Sequence, residues 1–188
     1  MDEAGRGPWA GPVVAAAVCI QRWDFTARID DSKRLTPAAR ERAFRDILPR
    51  ARVGIGLASS DEIDRVNILQ ATRLAMRRAL TQLDALPDVV LVDGLLPSLG
   101  VVRQVNLVHG DQRSTSIACA SIVAKVVRDR IMAVYDRRFP GYGFGRHKGY
   151  GTAVHLDALR RLGPVAIHRR TFAPVRDCSA SAQPAAAR

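Results

Sequence analysis

Three cysteines in 188 residues are too few and too scattered to staple a fold. Cys19, Cys119 and Cys178 are odd in number and match no zinc-ligand spacing, so neither a disulfide framework nor a cysteine metal site is expected. Reduced thiols fit a cytoplasmic location. Long apolar runs are also missing, and none approaches the roughly 20 residues of a membrane span. The N-terminus lacks the basic-then-apolar layout of a secretory signal. Internal repeats are absent. Negative charge is the scarcer sign: 18 acidic residues stand against 29 Lys and Arg, a formal charge of +11. Such a surplus favours phosphate-rich partners. An arginine-favouring composition is the alternative source, but it leaves unexplained where the carboxylates cluster.

What is present suits one domain, or one domain with a small appendage. The hydrophobic fraction is 47%, ordinary for a folded chain. A chain of this length buries roughly 70% of its unfolded surface without staples. The apolar run 13–20 behind Pro12 reads as a buried strand. Thr36 and Pro37 form an N-cap and first-turn proline for a helix reaching about Leu48. Residues 53–58 form another strand. Ser59 and Glu62 have capping-box spacing and open a helix to about Leu83, with Val66, Leu69, Met76, Leu80 and Leu83 on its apolar face.

Strands are expected at 89–92 and 101–105, then a long helix that follows Asp111 and runs to about Arg137. The apolar stripe of that helix is Ile117, Ala120, Ala124, Val127, Ile131 and Val134. Its small residues between Ser116 and Ala124 suit close packing on a sheet. Residues 141–151 read as a loop, 152–162 as a short helix, and 177–188 as a disordered tail. With a strand at the N-terminus, the order predicts a mixed sheet flanked by helices. Residues 1–137 would form the main domain and 138–176 a small helical lobe.

Chemistry concentrates at a few carboxylates. Asp2 and Glu3 begin the chain, Asp93 ends a buried strand, and Asp111 precedes the long helix. Strand ends are where ligands collect in α/β sheets. Carboxylates converging there need cations, and Mg²⁺ accepts carboxylate oxygens while keeping waters and phosphate ligands. Two such ions roughly 3.5–4 Å apart suit phosphodiester hydrolysis. Each residue alone has an ordinary explanation: Asp111 as an N-cap, Asp93-Gly94 as a turn, Asp2-Glu3 as solvated charge, Asp129 as a surface ion pair. Gly5-Arg6-Gly7 leaves main-chain N–H groups open to a ligand, or simply makes a turn. Ser32-Lys33-Arg34 offers cations for phosphate, or is a solvated loop. The stretch 144–152 interleaves cations, aromatics and glycines, as a phosphate-and-base contact surface does, and as ordinary loops also do.

At these residues the chain resembles bacterial ribonuclease HII, the type 2 ribonuclease H. The matching segments are 2–7, 31–33, 67–72, 92–94, 110–112, 120–126 with Arg128-Asp129, 147–152 and 168–175. Each is weak alone, but their order over nearly the whole chain is specific. The resemblance implies a ribonuclease H-like α/β fold: a mixed five-stranded sheet flanked by helices, with a small C-terminal helical lobe. It implies hydrolysis of the RNA strand of RNA–DNA hybrids. It also implies incision 5′ to a single ribonucleotide in duplex DNA, leaving 3′-hydroxyl and 5′-phosphate ends. By motif position Asp2, Glu3, Asp93 and Asp111 are the catalytic metal ligands for Mg²⁺ or Mn²⁺. Gly5, Arg6 and Gly7 match the family's ribonucleotide reader, and Tyr150 matches its sugar-packing tyrosine. Lys33, Lys125 and Lys148 are candidate phosphate contacts, and Asp129 a supporting residue. Arg169 and Arg170 either extend the basic groove or stand by. A monomer is expected, with little base preference.

Three departures from the family pattern stand out. His109 occupies a position where Lys is frequent, and Cys119 interrupts an Ala run. Family members also carry a hydrophobic strand leading into the Asp-Glu pair, whereas only Met1 precedes Asp2 here. The expectation is a reading frame that begins further upstream. The competing functional reading is a protein that binds hybrids without cleaving them.

Overall fold

The computed structural model describes residues 1–181, and residues 182–188 of the expected tail lie outside the described residues. In chain order the elements are β1 (Asp2–Ala4), β2 (Val13–Ile20), α1 (Pro37–Ile47), β3 (Ala51–Ala58), α2 (Ser60–Thr81), β4 (Val89–Asp93), β5 (Arg103–Leu107), α3 (Thr115–Arg138), α4 (Phe144–His147), α5 (Ala153–Leu162) and α6 (Ala173–Ser181). Helix α6 therefore carries five residues that the sequence reading gave to the tail.

β2 pairs antiparallel with β3 along its full length, from Val13↔Ala58 to Ile20↔Ala51. β1 pairs antiparallel with β2 over three residues only, Asp2↔Ala16 to Ala4↔Val14. β4 and β5 form a separate parallel pair, Val89↔Arg103 to Asp93↔Leu107. The two sets meet at Met1. Its nitrogen donates to the Leu91 carbonyl (2.6 Å), and the Asp93 N–H donates to the Met1 carbonyl (3.1 Å). That is a parallel pairing of Met1 with Val92. The resulting order is β3-β2-β1-β4-β5, the expected mixed five-stranded sheet, narrowest at short β1. The same register sets Asp2 opposite Asp93. Beyond Met1, an apolar groove lined by Ala17, Cys19, Leu80, Leu83 and Val90 separates β2 from β4.

Alternation along β2 feeds two cores, one on each face of the sheet. Val13, Ala15 and Ala17 pack with Ala71, Ala75, Met76, Ala79 and Leu80 of α2. Ala16 packs on the other side with Phe44 and Ile47 of α1 and with Ala120, Val123 and Ala124 of α3. Contact between α2 and β3 is close because a Cβ at Gly54 or Gly56 would meet the Ala79 or Ala75 carbonyl oxygen at 2.0 or 2.1 Å. A third core joins Met132 of α3 to Tyr142, Phe144, Ala158 and Ile167 of the C-terminal lobe, and Ala10 completes it. The lobe is stitched to the N-terminal segment: Gly11 N–H donates to the Ile167 carbonyl (2.8 Å), and Arg169 N–H to the Trp9 carbonyl (2.8 Å).

Several local expectations need correction. Asp111 is not an N-cap: it sits in a 3-10 turn, Gly110–Gln112, and α3 opens after Ser114. β5 starts two residues late. Its polar side chains turn back to hold the preceding loop, with Gln104 accepting from Leu99 N–H (2.9 Å) and Asn106 donating to the Leu96 carbonyl (2.8 Å). Val66 and Val134 are exposed, at 41% and 50%, instead of facing a core. Helix α2 loses its register at Asn67 (φ 66°, ψ 165°), and α3 buries every residue from Ile117 to Ala124 instead of one stripe. The stretch 141–151 also contains the short helix α4.

Candidate active site

The sheet register and one turn bring three carboxylates together. Asp2 on β1 lies opposite Asp93 at the end of β4, and the turn after β5 folds Asp111 over them. One oxygen from each lies within 4.8 Å of the other two. The turn closes because Gly110 donates its N–H to Asp93 Oδ1 (2.7 Å). A Cβ on Gly110 would stand 2.6 Å from Ile117 Cδ1, so no larger residue fits without displacement. His109 enters the turn in the left-handed region (φ 54°).

Electrostatics in this cluster favour a cation. Burial chiefly, then the Glu3 and Asp93 charges, raise Asp2 to about 7. Burial also raises Asp111, and the charges of Asp31 and Asp93 push it further. Glu3 is raised by burial and opposed by Arg6, its ion-pair partner at 3.3 Å. Carboxylates that are buried and close repel unless a positive charge lies between them. Hard oxygen donors of this kind suit Mg²⁺ or Mn²⁺. Asp2, Asp93 and Asp111 fit such an ion. Glu3 lies outside the triad but lines the same cavity.

That cavity also gathers most of the other residues expected at the site. Gly5, Arg6, Gly7, Lys33, Lys125 and Tyr150 all line it, together with Ser32 of the candidate phosphate-binding stretch and with Ser121, which sequence reasoning does not single out as a site residue. Ser121 donates to Ser32 (2.8 Å) and so ties α3 to the 31–33 loop. Lys125 is one helical turn further on, paired with Asp129 at 2.6 Å. Asp129 also faces Arg40 at 3.6 Å, so it orients Lys125 and is not a member of the Asp2-Asp93-Asp111 triad. Tyr150 closes the far side, with Cε1 3.9 Å from where a Cβ on Gly7 would be. Lys148 does not line the cavity. It adopts φ 53°, and its carbonyl accepts from Arg128 (3.0 Å).

Two relevant features were not legible at the residue level. Arg128 and Arg169 are buried behind the glycine turn, at 1% and 0% exposure. For Arg128 only its position inside a matching segment hinted at a role, and Arg169, offered as an extension of the basic groove, is instead fully buried. The second feature is a chain of three histidines beneath Tyr150. Val165 N–H donates to His168 Nδ1 (2.9 Å), so His168 carries its proton on Nε2 and donates to His155 Nε2 (3.1 Å). His155 Nδ1–H then donates to the Tyr150 carbonyl (2.9 Å). His147 stacks on His155 at 4.5 Å between centroids and accepts Gly149 N–H (3.2 Å).

Comparison with known proteins agrees with this geometry. The family model for ribonuclease HII matches residues 1–175. A ribonuclease HII of Syntrophotalea carbinolica is 54% identical over 178 residues, which cover 94% of this chain and 85% of that protein. Among solved structures, the ribonuclease H2 of Pyrococcus horikoshii OT3 superposes with a TM-score of 0.78 at 26% identity, covering 96% of this chain and 95% of its own. Bst-RNase HIII, solved in complex with Mn²⁺, shares the fold at a TM-score of 0.75 and 20% identity, over 97% of this chain and 68% of its own. The match runs from the first strand through the lobe and takes in every residue of the carboxylate cluster and the glycine turn: the chain belongs to the ribonuclease HII family and is a ribonuclease.

Proposed function

We propose that the protein is an endonuclease with two linked activities. It hydrolyses the RNA strand of RNA–DNA hybrids, and it incises duplex DNA 5′ to a single ribonucleotide, leaving 3′-hydroxyl and 5′-phosphate ends. The observation that carries this reading is one cavity lined by Asp2, Glu3 and Asp93 together with the Gly5-Arg6-Gly7 turn and Tyr150, with Asp111 within 4.8 Å of Asp2 and Asp93. A nuclease that selects ribose must sense one hydroxyl, which can donate and accept. Main-chain groups of a glycine turn reach it closely, and an aromatic ring limits the sugar's position.

Asp2, Glu3, Asp93 and Asp111 would hold a pair of Mg²⁺ or Mn²⁺ ions, which when bound supply an activated water and stabilise the leaving oxygen. The chain's own groups do the rest. Gly110 fixes the Asp93 carboxylate through its N–H. Lys125, aimed by Asp129, and Lys33 present charge to the phosphates beside the cavity. Lys148 adds charge outside it. A net charge of +11 supplies affinity without base preference. On this reading the enzyme acts as a monomer in the cytoplasm and takes part in ribonucleotide removal from DNA. Among the described residues no helix is long and apolar enough to cross a membrane.

The test is cleavage of a duplex containing one ribonucleotide, with Mg²⁺ or Mn²⁺, beside an all-DNA duplex. Incision 5′ to the ribonucleotide and none on DNA is expected. Asp93→Asn should lower the rate by more than the roughly 10–100-fold that losing an outer partner of a metal ligand costs. Salt-sensitive binding with no incision would overturn the reading in favour of a non-cleaving binder.

A further inference from the structure

The two buried arginines behind the glycine turn spend all their hydrogen bonds on main-chain carbonyls. Arg169 donates to the Arg6 carbonyl (2.7 Å), to the Gly11 carbonyl through Nε (3.0 Å) and Nη2 (2.8 Å), and to the Gly5 carbonyl. Arg128 donates to the Pro12 carbonyl (3.0 Å), the Ala10 carbonyl (3.2 Å) and the Lys148 carbonyl (3.0 Å). No carboxylate receives any of these bonds. A buried guanidinium is costly unless its donors are satisfied, and here the backbone takes three bonds from Arg128 and four from Arg169. Burial lowers Arg169 to about 9, which leaves it protonated at neutral pH.

The consequence for the turn follows from peptide geometry. In a trans peptide the C=O and the next N–H point in opposite directions. Fixing the Gly5 and Arg6 carbonyls onto Arg169 therefore turns the N–H groups of Arg6 and Gly7 the other way. Arg128 sets the second half of the arrangement. Its Nε lies 2.0 Å from where a Cβ on Gly5 would be, so the chain packs directly on the guanidinium. The same guanidinium lies 5.9 Å from the Tyr150 ring centroid and bonds the Lys148 carbonyl two residues before that ring.

We propose that Arg128 and Arg169 are positioning residues for ribonucleotide recognition, holding the outward N–H groups of Arg6 and Gly7 and the Tyr150 ring at one fixed spacing. The proposal rests on the reading that this turn and ring sense the ribose. Neither arginine touches substrate. Each acts through backbone it holds from behind, and the guanidinium fork is required because one ammonium cannot span the same carbonyls.

The test compares affinities, by fluorescence anisotropy without divalent metal, for a duplex with one ribonucleotide and for the same duplex in DNA. Arg169→Lys keeps the charge and removes the fork. The expected result is a ribonucleotide-to-DNA affinity ratio that falls toward one while DNA affinity stays within about twofold. The kcat/KM at the single ribonucleotide should fall about 10–100-fold, the range for loss of an outer support. A ratio equal to wild type overturns the proposal, and so does a parallel fall of both affinities with the melting temperature. Arg128→Lys carries the same test, with the same two outcomes, should Arg169→Lys not fold. In the wild-type protein, the Arg128 and Arg169 Nε–H resonances should shift with the ribonucleotide duplex and not with DNA. Unmoved resonances would equally overturn it. A wild-type protein that neither prefers nor incises the ribonucleotide duplex would instead sink the functional reading itself.

Discussion

Gly5 and Gly7 flank the same arginine but are glycine for different reasons. Gly5 has φ 97°, and a Cβ there would meet Arg128 Nε at 2.0 Å. Gly7 is free of both constraints, since its nearest Cβ neighbour is Tyr150 Cε1 at 3.9 Å. Gly5→Ala should therefore cost about 1–3 kcal/mol of stability, the usual range for a disfavoured backbone conformation. Gly7→Ala should change stability by less than about 0.5 kcal/mol. It should still slow incision at least tenfold, because its methyl narrows the gap between turn and ring. Denaturant melts and initial rates on the two variants check this. Equal stability losses would show that the turn is structural throughout.

Helix α2 shows how far an element can be read from sequence. Its start was legible: Ser59 accepts from Glu62 N–H (3.2 Å) and Glu62 accepts from Ser59 N–H (2.9 Å), the reciprocal pair that the spacing implied. Thr36 likewise caps α1 through Ala39 N–H (3.2 Å). The break at Asn67 was not legible, because periodicity assumes one continuous register. Asn67 takes a backbone conformation that strains any side chain, and its Oδ1 accepts Gln70 N–H (3.1 Å), starting a second helical segment. Asn67→Ala should cost about 1–2 kcal/mol through the lost cap, with Asn67→Gly costing less because glycine tolerates the φ. Chemical melts distinguish the two, and equal losses would mean that the cap contributes nothing.

The same limit applied to α3, where Arg128 is buried and Val134 half exposed. Residue type argued the reverse on both counts. Burial there is set by the turn and lobe that meet the helix, which no local pattern encodes. For the site, the sequence placed Asp2, Asp93 and Asp111 by motif. The 4.8 Å convergence depends on a 3-10 turn around Asp111, where local pattern alone offers a helix cap as readily as a ligand.

At the scale of the whole molecule, the lobe's histidine chain ties fold to pH. Burial above all lowers His155 and His168 to about 4, with His147 adding to the first and His155 and Arg170 to the second. An unfolded chain takes up these protons near 6.5. Between about 6.5 and 4 the unfolded state thus binds more protons, so stability falls as the pH drops, by up to about 1.4 kcal/mol per unit per histidine. The contribution is complete above about 6.5. The raised carboxylates act in the opposite sense without metal, so melts at pH 7 and pH 5 belong in saturating Mg²⁺. Imidazole chemical shifts give the two values directly, and normal titration near 6.5 would contradict the neutral chain of donors.

The distance between Gly5 and Arg169 along the chain has a consequence in time. Arg169 bonds Arg6 across 163 residues. At about 5–20 residues per second, the ribosome needs roughly 8–33 s to travel from one to the other. The glycine turn is therefore made well before the arginine that braces it. A nascent chain would therefore carry the whole carboxylate cluster before it has the means to choose a substrate. Stalling translation before Arg169 and assaying the ribosome-bound chains would show whether selectivity arrives with that residue.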